Sequence, residues 1–353
     1  RSLKKGLEGG FLMNRTFRTA LIGCGQRGRA HAVGLKEEQR CEVVAITDVN
    51  RGAAEALNSD FGFGAAIYED YREMLLKEKP EVVVVCLWTR LHLPVFRDCV
   101  NSGARAVHCE KPMAHTWNDC LEMARIAEES GCQLTFSHQR RFAKGNMLVR
   151  EMINKGLFGE LLRMDLYSPP NLLDCGTHTI DQAFSFNNET PVKWVLGAVD
   201  ASDTLNWFDV RSEITAVRTL VLENGVRANI QAGGPDQDMW GGVRVIGRKG
   251  FIEVFWDGNF GQSVIYDDPS WKPEQCDEEK DLQTMRMVKD IYDCLISGRE
   301  PELSYKKALR ASEVIFAFYE SVRLNKRIEL PLKGVTDNPF ITMYESGRFA
   351  AKR

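Results

Sequence analysis

Residues 20–31 read ALIGCGQRGRAH, and this stretch decides the fold. Gly23, Gly25 and Gly28 form G-x-G-x-x-G between an apolar strand predicted over 16–22 and a helix predicted over 27–36. In that setting each glycine has a separate task. Gly23 permits the tight turn, Gly25 lets a pyrophosphate approach the backbone, and Gly28 permits close packing of helix on sheet. Free N–H groups at the helix start, around Gln26 and Arg27, favour an anion. Asp48 ends the next predicted strand, 20 residues after Gly28. A carboxylate there accepts from the ribose hydroxyls of an adenosine and repels a 2′-phosphate. A plain glycine turn with a capping aspartate is the competing reading. Three glycines, the strand before them and the aspartate after them favour a dinucleotide. Arg27 and Arg51 each offer a cation that a 2′-phosphate would use, so NAD is the expected cofactor with NADP left open.

Outward from this loop the first 137 residues alternate. Apolar runs at 41–47 (CEVVAIT), 81–87 (EVVVVCL), 104–109 and 133–137 read as strands, the second of them buried on both faces. Helical stretches lie between them at 51–58, 71–78, 93–102 and 116–130, the last with Thr116 as cap and Gly131 as stop. Such alternation builds a doubly wound parallel sheet. After about residue 140 the rhythm changes. Helices are predicted over 142–155 and 177–186. Strands with tight turns, such as ENG at 223–225, follow over 192–199, 213–223, 226–232, 243–247, 251–255 and 263–266. This pattern predicts an α+β domain with a large, open, mostly antiparallel sheet. Long helical periodicity returns at 280–297 and 304–325. The expected domains are 14–137 and 138–332, with the C-terminal helices free to pack back on the first. Residues 1–13 read as a leader or an expression remnant, and 333–353 as an arm or a mobile tail.

Composition narrows the function. The 353 residues are 44% hydrophobic and 27% charged with net charge −3, so neither nucleic acid nor an anionic membrane is an expected partner. No apolar run approaches the roughly 20 residues that span a bilayer. The ten cysteines include no C-x-x-C pair, and several sit in apolar runs as small hydrophobes, which points to a reducing cytoplasm.

Two polar clusters carry chemistry. The first is Glu110-Lys111-Pro112, directly after the apolar run AVHC. At the carboxyl end of a strand in an open α/β sheet, Lys111 would face a ligand cleft and Glu110 would accept from a cofactor hydroxyl, with Pro112 holding the bend. A lysine–glutamate pair on an ordinary loop is the alternative. The second is DCGTHTID, in which Asp174, His178 and Asp181 stand at i, i+4 and i+7. Gly176 and Thr177 suggest a helix start with Thr177 as cap. A histidine beside a carboxylate suits a general base for an alcohol proton, and a satisfied core histidine is the alternative. No metal site is expected: Lys111 would add a cation to the pocket, and no third histidine or cysteine is suitably spaced. Arg141 is either a substrate ligand or half of a structural ion pair. Trp207, Asp238 and Trp240 fall in predicted loops that either shape the pocket or pack a sheet edge.

G-x-G-x-R-G in the first turn, E-K-P after the fifth strand, and an aspartate four residues before a histidine followed by Ile180-Asp181 together resemble the Gfo/Idh/MocA oxidoreductases. HQRRFAKG at 138–145 and INKGLFGEL at 153–161 resemble that family's segment leading into the second domain. The resemblance covers about 16–330. It implies a Rossmann domain, an open-sheet α/β domain often used for oligomerisation, and hydride transfer involving a secondary alcohol of a sugar, sugar acid or cyclitol. By resemblance Lys111 is the central catalytic lysine, completed by Asp174 and His178. The chain departs from the family after the fourth strand. Where Thr-Pro is common it has Leu87-Trp88, then Thr89 and His92, which places Trp88 near the expected nicotinamide. The expected function is therefore an NAD(P)-dependent dehydrogenase acting as a homo-oligomer, dimer or tetramer. An NAD-dependent glycosidase using transient oxidation, or a non-catalytic NAD-binding sensor, is the alternative on the same scaffold.

Overall fold

The computed structural model describes residues 15–207, 209–233, 241–276 and 281–349. The expected leader, Asp238 and Trp240 lie outside them. The chain divides into two compact units. The first takes residues up to 113, 122–139 and 281–306; the second takes 114–121, the described part of 140–276, and 307–349.

The first unit is built on six parallel strands: β1 (Phe17–Ile22), β2 (Cys41–Thr47), β3 (Ala66–Tyr68), β4 (Val82–Val85), β5 (Ala106–Cys109) and β6 (Gln133–Phe136). Their order is β3-β2-β1-β4-β5-β6, so the winding reverses between β1 and β4. Ligands bind at the carboxyl ends of the strands at such a point. Helices α1 (Gln26–Glu37), α2 (Arg51–Phe61), α3 (Tyr71–Glu78), α4 (His92–Asn101) and α5 (Trp117–Ser130) make the crossovers. Thr116 caps α5 by accepting from Asp119 N at 3.2 Å, and Gly131 ends it at φ +68°. Four consecutive valines make β4 entirely buried, as a central parallel strand requires. The short β3, only AIY, has no sequence pattern strong enough to predict it. A later helix, α8 (Leu282–Ser297), completes the unit. A Cβ on Gly34 of α1 would lie 2.6 Å from Val288 of α8, and Tyr292 of α8 bonds Thr19 of β1 at 2.7 Å. The glycine lets the two helices press together.

The second unit carries β7 (Leu161–Ser168), β8 (Val192–Trp207), β9 (Val210–Leu222), β10 (Arg227–Gly233), β11 (Gly242–Gly247), β12 (Gly250–Phe255), β13 (Phe260–Ile265) and β14 (Ile328–Glu329). Among the described residues these form one sheet in the order β13-β12-β11-β7-β10-β9-β8-β14. Its pairings are antiparallel except β7 with β10. Strand β7 was not expected; its outward Arg163 and Asp165 disguise the buried Met164 and Leu166. The unit's helices are the start of α5, α6 (Lys144–Asn154), α7 (Thr177–Phe186), α9 (Tyr305–Leu324) and α10 (Pro339–Glu345). Phe318 of α9 packs on Gly197 of β8 and beneath the Arg218 guanidinium of β9. On the opposite face the same strands expose Leu196 and Val217. Through 349 the tail packs within the second unit. Asn338 caps α10, and the buried Phe340 meets the Tyr319 ring at 5.4 Å.

Candidate active site

The glycine loop has the geometry its spacing predicts. Gly23 sits at φ +95°, and a Cβ there would lie 2.3 Å from the Cys86 carbonyl oxygen, so β1 and β4 close only around glycine. A Cβ on Gly28 would lie 2.0 Å from the Gly23 carbonyl oxygen, which is the close helix–strand approach. Gly25 has open space where a Cβ would stand, and it and Gln26 are exposed. Gly25 also occupies the cap position of α1 without a side-chain cap bond, so the helix presents its first N–H groups to an incoming anion. These features fit a dinucleotide pyrophosphate.

Asp48 is pre-set for a polar ligand. Its Oδ2 accepts from Cys24 N at 2.7 Å and its Oδ1 from Asn50 N at 2.8 Å. Both oxygens keep lone pairs for further donors. Arg51 lies with Glu55 at 2.9 Å and Glu69 at 3.6 Å, so acids already attend the cation that a 2′-phosphate would need. Arg27 donates its Nε to Glu110 at 2.9 Å.

Past β4, Leu87 leads to Trp88, which is 56% exposed at the strand's carboxyl end and turns the chain into α4. His92 is fully buried. Its Nε2 meets the Leu87 carbonyl at 3.0 Å, and its Nδ1 meets those of Pro112 and Met113 at 3.1 and 3.2 Å. His92, counted with Leu87 and Trp88 among the expected cofactor-binding residues, staples the segments that leave β4 and β5. Burial moves its proton affinity down, partly offset by these carbonyls.

Lys111 is half-buried at the end of β5. Glu110, the expected acceptor for a cofactor hydroxyl, turns Oε1 toward α1, where it accepts from Arg27 and lies 2.7 Å from His31 Nε2. Burial alone would raise its pKa. The hydrogen bond with His31, the Arg27 charge and the Lys111 charge outweigh it and hold the carboxyl below the usual range. His31 escaped the sequence reading, although it follows Gly28 by one helical turn on the face pressed to the sheet.

In the second unit Asp174 lies in a π-turn, Leu172–Gly176, that runs directly into α7 with His178 in its first turn. Asn171, not Thr177, is the cap: its Oδ1 accepts from Asp174 N at 2.9 Å. Thr177 is already helical because the π-turn starts the helix earlier. Both Asp174 and His178 are buried, and Cys175 Sγ lies 3.0 Å from Asp174 Oδ2. His178 packs edge-on against Trp256 at 5.9 Å, and the Arg140 guanidinium stacks on that indole at 4.1 Å. Beneath the turn, buried Glu213 accepts from Leu172 N at 3.0 Å and from Tyr319 Oη at 2.8 Å. Neither Trp256 nor Glu213 carries a local sequence signal, since each meets the turn only through the sheet.

Arg141 makes the ion pair that was one of its two expected roles. Its guanidinium is fully buried and forked onto Asp181, at 2.7 Å from Nε and 2.8 Å from Nη2, and also pairs with Glu189. Desolvation alone would lower its pKa, and the two carboxylates reverse that. Asp181 thus ties α7 to Arg141. Trp207 ends β8 at 37% exposure. Among the described residues no group of three or more His, Cys, Asp or Glu is placed to hold a metal ion, and no helix is long and apolar enough to cross a membrane.

Comparison with known proteins agrees with this reading. The model of an oxidoreductase family with an NAD-binding Rossmann fold, Gfo/Idh/MocA, matches residues 17–138. D-glucoside 3-dehydrogenase of Escherichia coli (strain K12) is 31% identical over 186 residues, covering 47% of this chain and 52% of that protein. Inositol 2-dehydrogenase/D-chiro-inositol 3-dehydrogenase of Shouchella clausii is 26% identical over 207 residues, covering 58% and 56%. The chain thus spans little more than half the length of these relatives. The WlbA dehydrogenase from Bordetella pertussis, solved with NADH and UDP-GlcNAcA, shares the fold with a TM-score of 0.76 at 22% identity, over 91% of this chain and 99% of that one. Residues 17–138 thus match the NAD-binding Rossmann domain of the Gfo/Idh/MocA oxidoreductases.

Proposed function

We propose that the protein is a nicotinamide-dependent dehydrogenase of a secondary alcohol on a sugar, sugar acid or cyclitol. The observation that carries this reading is Lys111, held at the carboxyl end of β5 in the sheet whose glycine loop and Asp48 suit NAD. Relatives named as glucoside and inositol dehydrogenases support the substrate class, and they favour net oxidation over a glycosidase or a sensor.

Bound NAD supplies a hydride acceptor. In the proposed mechanism the Lys111 ammonium polarises the substrate hydroxyl oxygen, and His178 takes the hydroxyl proton while the C–H hydride leaves with its electron pair, so the carbinol becomes a ketone. Asp174 orients the imidazole and stabilises its charged form. Trp256 fixes the ring of His178 from its edge, and exposed Trp88 offers a face to an apolar sugar surface. A second copy of the chain is the proposed partner on the open sheet face. Ten cysteines without a disulfide support a reducing compartment, which we take to be the cytoplasm.

The test is a screen of sugars, cyclitols and their acids, following absorbance of reduced cofactor with NAD and NADP in parallel. On the best substrate, Lys111→Ala or His178→Ala should lower turnover by about 10²–10⁴, the span of a positioned acid–base group. Asp174→Asn should cost less, and NAD affinity should barely move. Near-wild-type turnover in folded, NAD-bound Lys111→Ala would sink the reading.

A further inference from the structure

We infer that His31 is a positioning residue for Lys111, acting through Glu110 from the helix that cradles the dinucleotide. The inference rests on the reading of Lys111 given above. Helix α1 begins at the glycine loop and sends two side chains, four residues apart, onto one oxygen: Arg27 Nε and His31 Nε2 both reach Glu110 Oε1, at 2.9 and 2.7 Å. Glu110 and His31 are 4% and 1% exposed. An ionised carboxylate only accepts, so Nε2 of His31 is the donor. The imidazole cannot drift, because its ring packs edge-on against His108 at 5.1 Å, and His108 Nδ1 meets Thr135 Oγ1 at 2.8 Å. On the far side of Lys111 the Pro112 and Met113 carbonyls are held by His92. Residues 110–113 are therefore pinned at both ends by buried histidines, with Lys111 between the pins.

The arrangement also fixes charge. Lys111 and Glu110 attract each other, as the lowered Glu110 carboxyl records. The other ionisable groups that bear on Glu110 are Arg27 and His31 from α1, His108 and Cys109 from β5, Cys86 after β4, and His92 from α4. His138, after β6, bears on His108. Of these only Arg27 and His31 give Glu110 a side-chain hydrogen bond among the described residues. Without the His31 donor, one of the two bonds that fix Glu110 Oε1 is gone. Glu110 stays ionised where lysines titrate, so what His31 sets is the place of the carboxylate; once it is free to turn away, the Lys111 ammonium has a more distant counter-charge and its proton is held less tightly.

The test uses the full chain. Lysines are reductively methylated with ¹³C, the Lys111 signal is assigned by its loss in Lys111→Arg, and the signal is titrated by NMR. His31→Met keeps bulk but has no donor, whereas His31→Gln keeps an N–H for Glu110. The Lys111 midpoint should fall by about half a pH unit or more in His31→Met and return to within about 0.2 of wild type in His31→Gln, set against an ordinary lysine value near 10.4. The NAD dissociation constant should change by less than about threefold, since His31 sits a full turn beyond the helix N-terminus. An unchanged Lys111 midpoint in folded His31→Met overturns the inference, whatever turnover does. Should His31→Met fail to fold, Glu110→Gln removes the charge at the same shape, and an unchanged Lys111 midpoint there overturns it equally. Failure of the catalytic reading is a separate result, namely turnover surviving Lys111→Ala, and it leaves the lysine titration still reporting on His31.

Discussion

Replacing Asp48 by serine should move the chain from NAD toward NADP, and the geometry sets the size of the change. Each carboxylate oxygen of Asp48 already accepts a backbone N–H, from Cys24 and from Asn50. The side chain is thus ordered before any ribose arrives, and little entropy opposes its bonds to the sugar. A hydrogen bond to a charged acceptor contributes about 1.5–3 kcal/mol, so its loss should weaken NAD roughly 10- to 150-fold. NADP gains in the same variant. Two unit charges about 4 Å apart repel by about 1 kcal/mol in water and about 4 kcal/mol at an effective dielectric of 20. Asp48 is half-buried, so about 1–2 kcal/mol is the fitting range. Together the ratio of the two dissociation constants should shift by about 10² or more toward NADP. Fluorescence titration of both cofactors on wild type and Asp48→Ser measures it. A ratio within about threefold of wild type would refute the assignment, because no carboxylate–ribose contact of ordinary strength is that small.

Arg141→Met should cost about 3–5 kcal/mol in urea unfolding, since it leaves the buried Asp181 carboxylate without its forked partner; an unchanged midpoint would return Arg141 to the substrate. Glu110 has a depressed folded pKa, so its contribution is full above the unfolded carboxyl value near 4.3 and disappears as pH falls through the folded value. The melting-temperature gap between wild type and Glu110→Gln should therefore shrink as pH drops below about 4, and a gap that stays constant down to pH 2 would contradict it. Light scattering at micromolar concentration should find a species larger than the 40.0 kDa chain, and Val217→Arg on the open face should split it; a wild-type monomer would remove the sheet face as an interface.

The readable parts of the chain were those whose cause is local. Four valines in a row can only be a central strand, and a glycine loop between strand and helix announces its ligand because each glycine answers a separate steric demand. Strand β7 hid for the opposite reason: Arg163 and Asp165 face outward and pair with each other along the strand, so its alternation reads as polar. Lys111, Asp174 and His178 were legible as motifs. Their supports were not. Glu110 meets His31 across 79 residues and Glu213 meets Leu172 across 41, and nothing in either neighbourhood signals the partner. Arg141 reads as either a substrate ligand or an ion-pair partner because Asp181, which forks onto it, lies 40 residues away.

Helix α8 has a consequence for how the protein is made. It belongs to the first unit, where it lies on α1 through Gly34 and bonds Thr19, yet it is encoded after strands β7 to β13 of the second unit. At about 5–20 residues per second, a ribosome needs roughly 7–30 s after completing β6 to deliver it. Over that interval the surface of α1 around Gly34 and of β1 around Thr19 lacks its cover, so the window for a chaperone to engage, or for two nascent chains to stick, is written into the gene order of the helices.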